Sequence, residues 1–175
     1  SQVWKYREDI RKMHKLQEQY LFLARHNIHS AEELVGTIAS LTDKKKETSA
    51  EKSRIYKARE RSMELFTAAD EMENLKPAEQ SYRLGDIFFE DEHRKWVALE
   101  QELQAQGYSL EEVQALRRHY KEEYSEVCAR EKVVCRELNT GKAILNSMIP
   151  DSISDGRKTE YNREIIRDRK EQPVR

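Results

Sequence analysis

Apolar residues recur every three or four positions along most of this chain, the spacing of one helix face rather than the alternation of a strand. A first stripe, Val3, Tyr6, Ile10, Met13, Leu16, Tyr20 and Leu23, predicts an amphipathic helix from about Val3 to Arg25. After a short connection at His26 to His29, Ser30 and Glu33 stand just ahead of Leu34 as a capping box, which satisfies backbone N–H groups at a helix start. A second helix is expected from there to about Met72, with apolar positions at Leu34, Ile38 and Leu41 and again at Ile55, Ala58, Leu65, Ala69 and Met72. Its middle, Thr42 to Arg54, is almost wholly polar and reads as a solvated protrusion. Thr48 and Ser49 could divide the helix, since their hydroxyls compete for backbone hydrogen bonds, but the pattern favours continuity.

Pro77 and Gly85 bracket the next interruption, and Asn74 to Asp86 reads as a loop. Asp86 can cap a third helix with the stripe Phe89, His93, Trp96, Leu99 and Leu103, supported by Glu90 and Arg94 four apart and ended by Gly107. Ser109 and Glu112 form a second capping box, with Tyr108 and Val113 as its hydrophobic staple. In the fourth helix Val113, Leu116, Tyr120, Tyr124, Val127, Val134, Leu138, Leu145 and Met148 keep the three-and-four pattern up to Pro150. At about 1.5 Å per residue that helix is roughly 50 Å long. From Asp151 the chain is polar and thinly apolar, so a mobile tail is expected over 150–175, with a helical turn around Tyr161 to Arg167. The expected fold class is all-α. Residues 1–149 should form one elongated antiparallel helical bundle of coiled-coil-like hairpins with four main helices, because narrow stripes on long helices bury themselves against one another.

Composition separates this reading from disorder. Hydrophobic and charged residues each make up 37% of the chain, so a thick core is not expected, and with only 5 Gly and 3 Pro the helices should be long. Low hydrophobicity alone would fit an unfolded chain, but such a chain has no reason to place its apolar residues at helical spacing. The formal net charge of −1 removes any global attraction to nucleic acid or to an anionic membrane and leaves only local patches. No apolar run approaches the roughly 18 residues that span a bilayer, and no secretory signal follows Ser1, so a soluble, cytoplasmic protein with no membrane contact is expected.

Charge is nonetheless uneven. Lys44, Lys45, Lys46, Lys52, Arg54, Lys57, Arg59 and Arg61 face only three acids in the same stretch, a local charge of +5, whereas Glu64 to Glu112 carries −9. These eight cations are the DNA-contact candidates, through phosphates along the polar part of the second helix. The same pattern also fits a solvated helix face, or one that pairs with the acidic segment.

Nothing in the sequence assembles a catalytic centre, and no cofactor is expected. There is no glycine-rich phosphate loop, nucleophile elbow or Cys-x-x-Cys. His26 and His29 have no cysteine or carboxylate at ligand spacing, so no metal site is expected and they read as solvated loop residues. His93 reads as a packed or half-exposed helix residue, and Tyr6, Tyr20, Tyr120 and Tyr124 as packing residues on their stripes. Cys128 and Cys135 lie seven residues apart on one helix, about 10.5 Å along its axis, too far for a disulfide.

The order of segments resembles the helical region that follows the nuclease domain in relaxases, the mobilisation nucleases of conjugative elements. The resemblance is carried by Leu21-Phe-Leu23 leading into Ile28-His-Ser30 and Glu33-Leu34, then by Tyr56 to Arg59, Phe88 to His93, Tyr120 to Tyr124 and Lys142 to Leu145. It covers about Ile10 to Met148. It implies that the nicking tyrosine and the metal-binding histidines belong to a domain N-terminal to this chain, and no residue here inherits a catalytic role. The implied role is support: holding DNA near the transfer origin, or binding relaxosome or secretion-system proteins. The alternative is a structural coiled-coil adaptor with no DNA role, forming a homodimer through the fourth helix.

Overall fold

The computed structural model describes residues 2–149, with side chains from residue 6 onward. The expected mobile tail over 150–175 and its turn at Tyr161 to Arg167 lie outside the described residues. Those described form five α-helices and one 3-10 turn, with no strand among them: α1 Gln2–Arg25, α2 Ala31–Arg61, α3 Met63–Arg83, the turn Ile87–Phe89, α4 Glu90–Ala105 and α5 Leu110–Ser147. The fold is all-α, as the periodicity predicts.

Four expected helices become five because the second divides at Ser62. Thr48 and Ser49 lie in unbroken helix. The Thr48 hydroxyl donates back to the carbonyls of Lys44 and Lys45, each at 3.0 Å, and that of Ser49 donates to Glu131 at 3.1 Å, so neither disturbs a backbone N–H. At Ser62 the amide instead reaches the carbonyl of Arg59, three residues back, at 3.1 Å, and this tightened turn separates α2 from α3.

The loop expected over Asn74 to Asp86 is helix as far as Arg83, with Pro77 inside it. A proline there removes one backbone bond and costs about 3 kcal/mol. Packing and pairing around it offset this: Met72 ahead of Pro77 is buried, Leu75 packs on the same core, and Glu79 behind it is held by Arg83 and His93. The helix stops at Gly85, whose φ of +103° lets its amide reach Tyr82 and that of Asp86 reach Ser81, a Schellman closure. Gly107, at φ +85°, ends α4 the same way, and there Tyr108 packs against the core that holds Leu103.

Contacts gather the chain into two compact units, one from the described residues of Ser1–Ser49 and Ala129–Arg175, the other from Ala50–Cys128. The first has its core where the end of α1, the start of α2 and the end of α5 meet, around Phe22, Leu34, Ile38, Leu41, Leu138 and Leu145. Gly141 is the close-approach point of that core. A Cβ there would lie 3.0 Å from the Phe22 ring and 3.1 Å from Ile38, so the glycine that interrupts the apolar stripe of α5 makes room for a neighbour's ring. The second unit packs Leu65, Phe66, Ala69 and Met72 of α3 against Trp96 and Leu103 of α4 and Val113 of α5. Trp96 carries its indole N–H into this core with no acceptor, a desolvation cost of about 1–3 kcal/mol that the buried ring area offsets.

One face is opposite to expectation. From Tyr6 to Tyr20 the stripe of α1 points to solvent, with Tyr6 69%, Met13 70%, Leu16 65% and Tyr20 71% exposed; its last member, Leu23, packs against the core, and Phe22 is the one buried residue among the described side chains of this helix. At about 100° per residue Phe22 lies across the helix from that stripe, on the side shared by Lys15 and Glu18. Tyr6 and Tyr20 are therefore not packing residues. The stripe of α5 is buried at Val113, Val127, Leu138 and Leu145, while Met148, placed at its end by the pattern, lies beyond the helix and is 54% exposed.

Candidate nucleic-acid interface

The eight expected DNA contacts all lie on α2, in two groups. Lys44, Lys45 and Lys46, in the first unit, are consecutive and exposed, so they fan around the helix at about 100° steps. In the second unit Arg54, Lys57 and Arg61 are exposed and spaced three and four apart, which stacks them on one helix face. Lys52 and Arg59 fall on the opposite side, and Lys52 is half-buried and already engaged within the protein. Among the described residues Lys44, Lys45, Lys46, Arg54, Lys57 and Arg61 enter no ion pair. The acidic segment finds its partners elsewhere: Asp70 takes Arg117, Glu79 takes Arg83 and His93, and Glu90 takes Arg94.

Tyr56 is half exposed on the same stretch of α2. Its hydrogen bond to Glu60, one turn on, and the charge of that carboxylate raise the phenol above its ordinary value and hold it protonated. An unactivated phenol of this kind is a poor nucleophile.

Two polar clusters escaped the sequence reading. In the second unit Glu79, 2% exposed, accepts from Arg83 Nε and pairs with His93 Nδ1, both at 2.7 Å, and Tyr82 stacks on the His93 ring at 4.2 Å. Burial alone would raise the Glu79 carboxyl, but the hydrogen bonds and charges of His93 and Arg83 outweigh it and hold the group below the usual range. In the first unit Glu137 joins Arg25 at 3.0 Å and His26, whose ring lies 4.5 Å from that of Phe22. His26 is thus a half-buried anchor between α1 and α5 rather than a solvated loop residue, while His29 bonds Asn27 at the surface. The Glu79 and Arg83 spacing was a readable signal. The histidines sit 14 and 111 residues from their glutamates, beyond any local pattern.

Arg117 of α5 grips Asp70 of α3 through two hydrogen bonds and lies 5.3 Å above the Phe66 ring. The hydrogen bond from Arg117 draws the Asp70 carboxyl below its ordinary value. Cys128 and Cys135 are free and half-buried. Among the described residues no group of three or more His, Cys, Asp or Glu gathers as metal ligands, and no helix is long and apolar enough to cross a membrane. The turn after α3 exposes a second apolar surface, with Leu84 90%, Ile87 82% and Phe88 81% accessible. Comparison of the chain with family models, with curated proteins and with solved structures finds no match.

Proposed function

We propose that this chain is a non-catalytic helical domain of a conjugative relaxase that holds DNA through phosphate contacts on α2. The observation that carries this reading is the row of exposed, unpaired cations, with Arg54, Lys57 and Arg61 on one helix face. Seven residues of helix span about 10.5 Å at about 1.5 Å per residue, or roughly three base steps at about 3.4 Å per step on one strand. Cations on one face with no Asn or Gln between them suit backbone contact rather than base reading, so binding should be indifferent to sequence. The resemblance between Ile10 and Met148 supplies the relaxase context. It assigns the chemistry to a domain outside this chain and leaves DNA, relaxosome and secretion-system contacts to this one.

The test is duplex binding followed as salt is raised from about 50 to about 200 mM. Changing Arg54, Lys57 and Arg61 to Gln should weaken binding at every DNA sequence. It should also flatten the plot of log affinity against log salt by about 2 to 3, since each lost B-DNA phosphate contact removes about 0.9. A wild-type chain that fails to bind duplex at low salt, or a triple variant with an unchanged slope, would end this reading.

The exposed face of α1 favours a second reading, the structural adaptor. The seam of α5 is occupied at Val113, Leu138 and Leu145 within the units' own cores, so pairing of two copies would run along α1 through Tyr6, Ile10, Met13 and Tyr20. In a parallel pair Asp9 would face His14 of the second copy, with Leu16 and Leu21 widening the seam. Sedimentation equilibrium should then report a dimer that Ile10→Lys with Met13→Lys converts to monomer while circular dichroism stays helical. A wild-type monomer at all concentrations leaves only the DNA reading.

A further inference from the structure

In the first unit a cleft of about 540 Å³ opens between α1 and α5. Its walls carry Lys15 from α1 and Lys132 and Arg136 from α5, with the amide side chains of Gln19 and Asn139 beside them. Glu18 is its one carboxylate. Among the described residues none of these three cations forms an ion pair, although Glu18 shares the cleft with them. We infer that this cleft is a phosphate-binding site, distinct from the cations of α2.

Three features carry the inference. Lys132 and Arg136 stand four apart on one helix, a spacing at which like charges weaken the helix slightly, and Lys15 is brought to the same hollow from another helix. The arrangement is therefore unfavourable while the cleft is empty of an anion and favourable once an anion neutralises it. The closure at Gly141 fixes the separation of the two walls, because the Phe22 ring seats against the glycine next to Thr140 on the cleft wall. The face of α1 that holds Phe22 in the core is the same face that presents Lys15 and Glu18, so the packing of the unit aims these groups into the cleft. Finally, the donor set suits phosphate chemically. An arginine fork and two ammonium groups meet the charge, and two neutral amides can donate to the remaining oxygens. The hollow is large enough for a nucleotide-sized group.

The inference does not draw on α2 and stands whether or not those cations touch DNA. Its test is a titration of the full chain, labelled with nitrogen-15, with inorganic phosphate and separately with single-stranded oligothymidylate, at constant ionic strength. Backbone amide signals of Gln19, Asn139 and Thr140, and the side-chain amides of Gln19 and Asn139, should move with either probe. Lys132→Gln with Arg136→Gln should weaken that response about tenfold or more, while Arg118→Gln with Lys121→Gln, exposed cations outside the cleft and off α2, leaves it unchanged. Tighter binding of oligothymidylate assigns the site to a nucleic-acid strand, and binding of phosphate alone assigns it to a free phosphate or phosphomonoester. Signals that stay in place with both probes at tens of millimolar phosphate overturn the inference. So does a response that survives in the double variant. Both altered residues are exposed, so the fold should persist. If circular dichroism shows otherwise, Lys132→Gln alone serves, with a proportionately smaller loss.

Discussion

Replacing Phe22 by alanine is expected to lower the stability of the first unit by about 3–5 kcal/mol, the usual range for deleting a fully buried phenyl ring. Phe22 is 0% exposed, its ring fills the space that Gly141 leaves open, and it lies against His26, which is tied to Glu137. No neighbour can move into the void without unseating that contact. Urea denaturation of the full chain, with hydrogen exchange at Ile38 and Leu138 amides as the local readout, checks the magnitude. Leu16→Ala is the matched control. Leu16 is 65% exposed on the opposite side of α1, so its loss should change stability by no more than about 0.5 kcal/mol. If Leu16→Ala proved the costlier of the two, the orientation of α1 described above would be wrong.

Glu79→Gln should be the most damaging polar substitution, at about 1–3 kcal/mol near neutral pH. The amide has one acceptor oxygen where the carboxylate offers two and carries no charge, so a buried glutamine head at this position cannot keep both the Arg83 and the His93 contact that the carboxylate holds. The effect should also depend on pH with a definite sign. Because the folded Glu79 carboxyl titrates below its ordinary range, its ionised form contributes stability in full above that range, and the contribution disappears as pH falls through the folded value. Denaturation midpoints of wild type and variant should therefore differ most near neutrality and converge in acid. A gap that widened on acidification would contradict the pairing.

The local features of this fold were legible and the long-range ones were not, for a physical reason. At the start of α5, Ser109 Oγ accepts from the Glu112 amide at 3.2 Å and Glu112 returns to the Ser109 amide at 2.8 Å, the reciprocal box that the sequence predicts. At α2, Ser30 accepts from the Glu33 amide at 3.1 Å, but the Glu33 carboxylate reaches one residue further out, to the His29 amide, at 2.6 Å. Such signals are complete within a few residues. Pro77 misled because its local penalty is outweighed by packing against residues a helix away. The stripe of α1 misled because amphipathicity shows that a face is apolar, not what covers it. Phe22, a single aromatic off the stripe, prevailed because Gly141 is shaped to receive it. On α2 the exposure of Lys44, Lys45, Lys46, Arg54, Lys57 and Arg61 followed from the polar pattern, whereas the engagement of Lys52 depends on residues brought near only by folding.

The division of the chain between the two units also bears on the order in which they can form. The second unit is drawn from one unbroken stretch, Ala50–Cys128, so during synthesis its core is complete soon after Val113 and Tyr120 have emerged. The first unit must hold Phe22, Leu34 and Ile38 without partners until Leu138, Ile144 and Leu145 are made and return to them. Closing so long a loop adds little to the free-energy difference, because the entropic penalty grows only with the logarithm of its length, but it does set a delay. The helices translated first are the ones whose core is finished last.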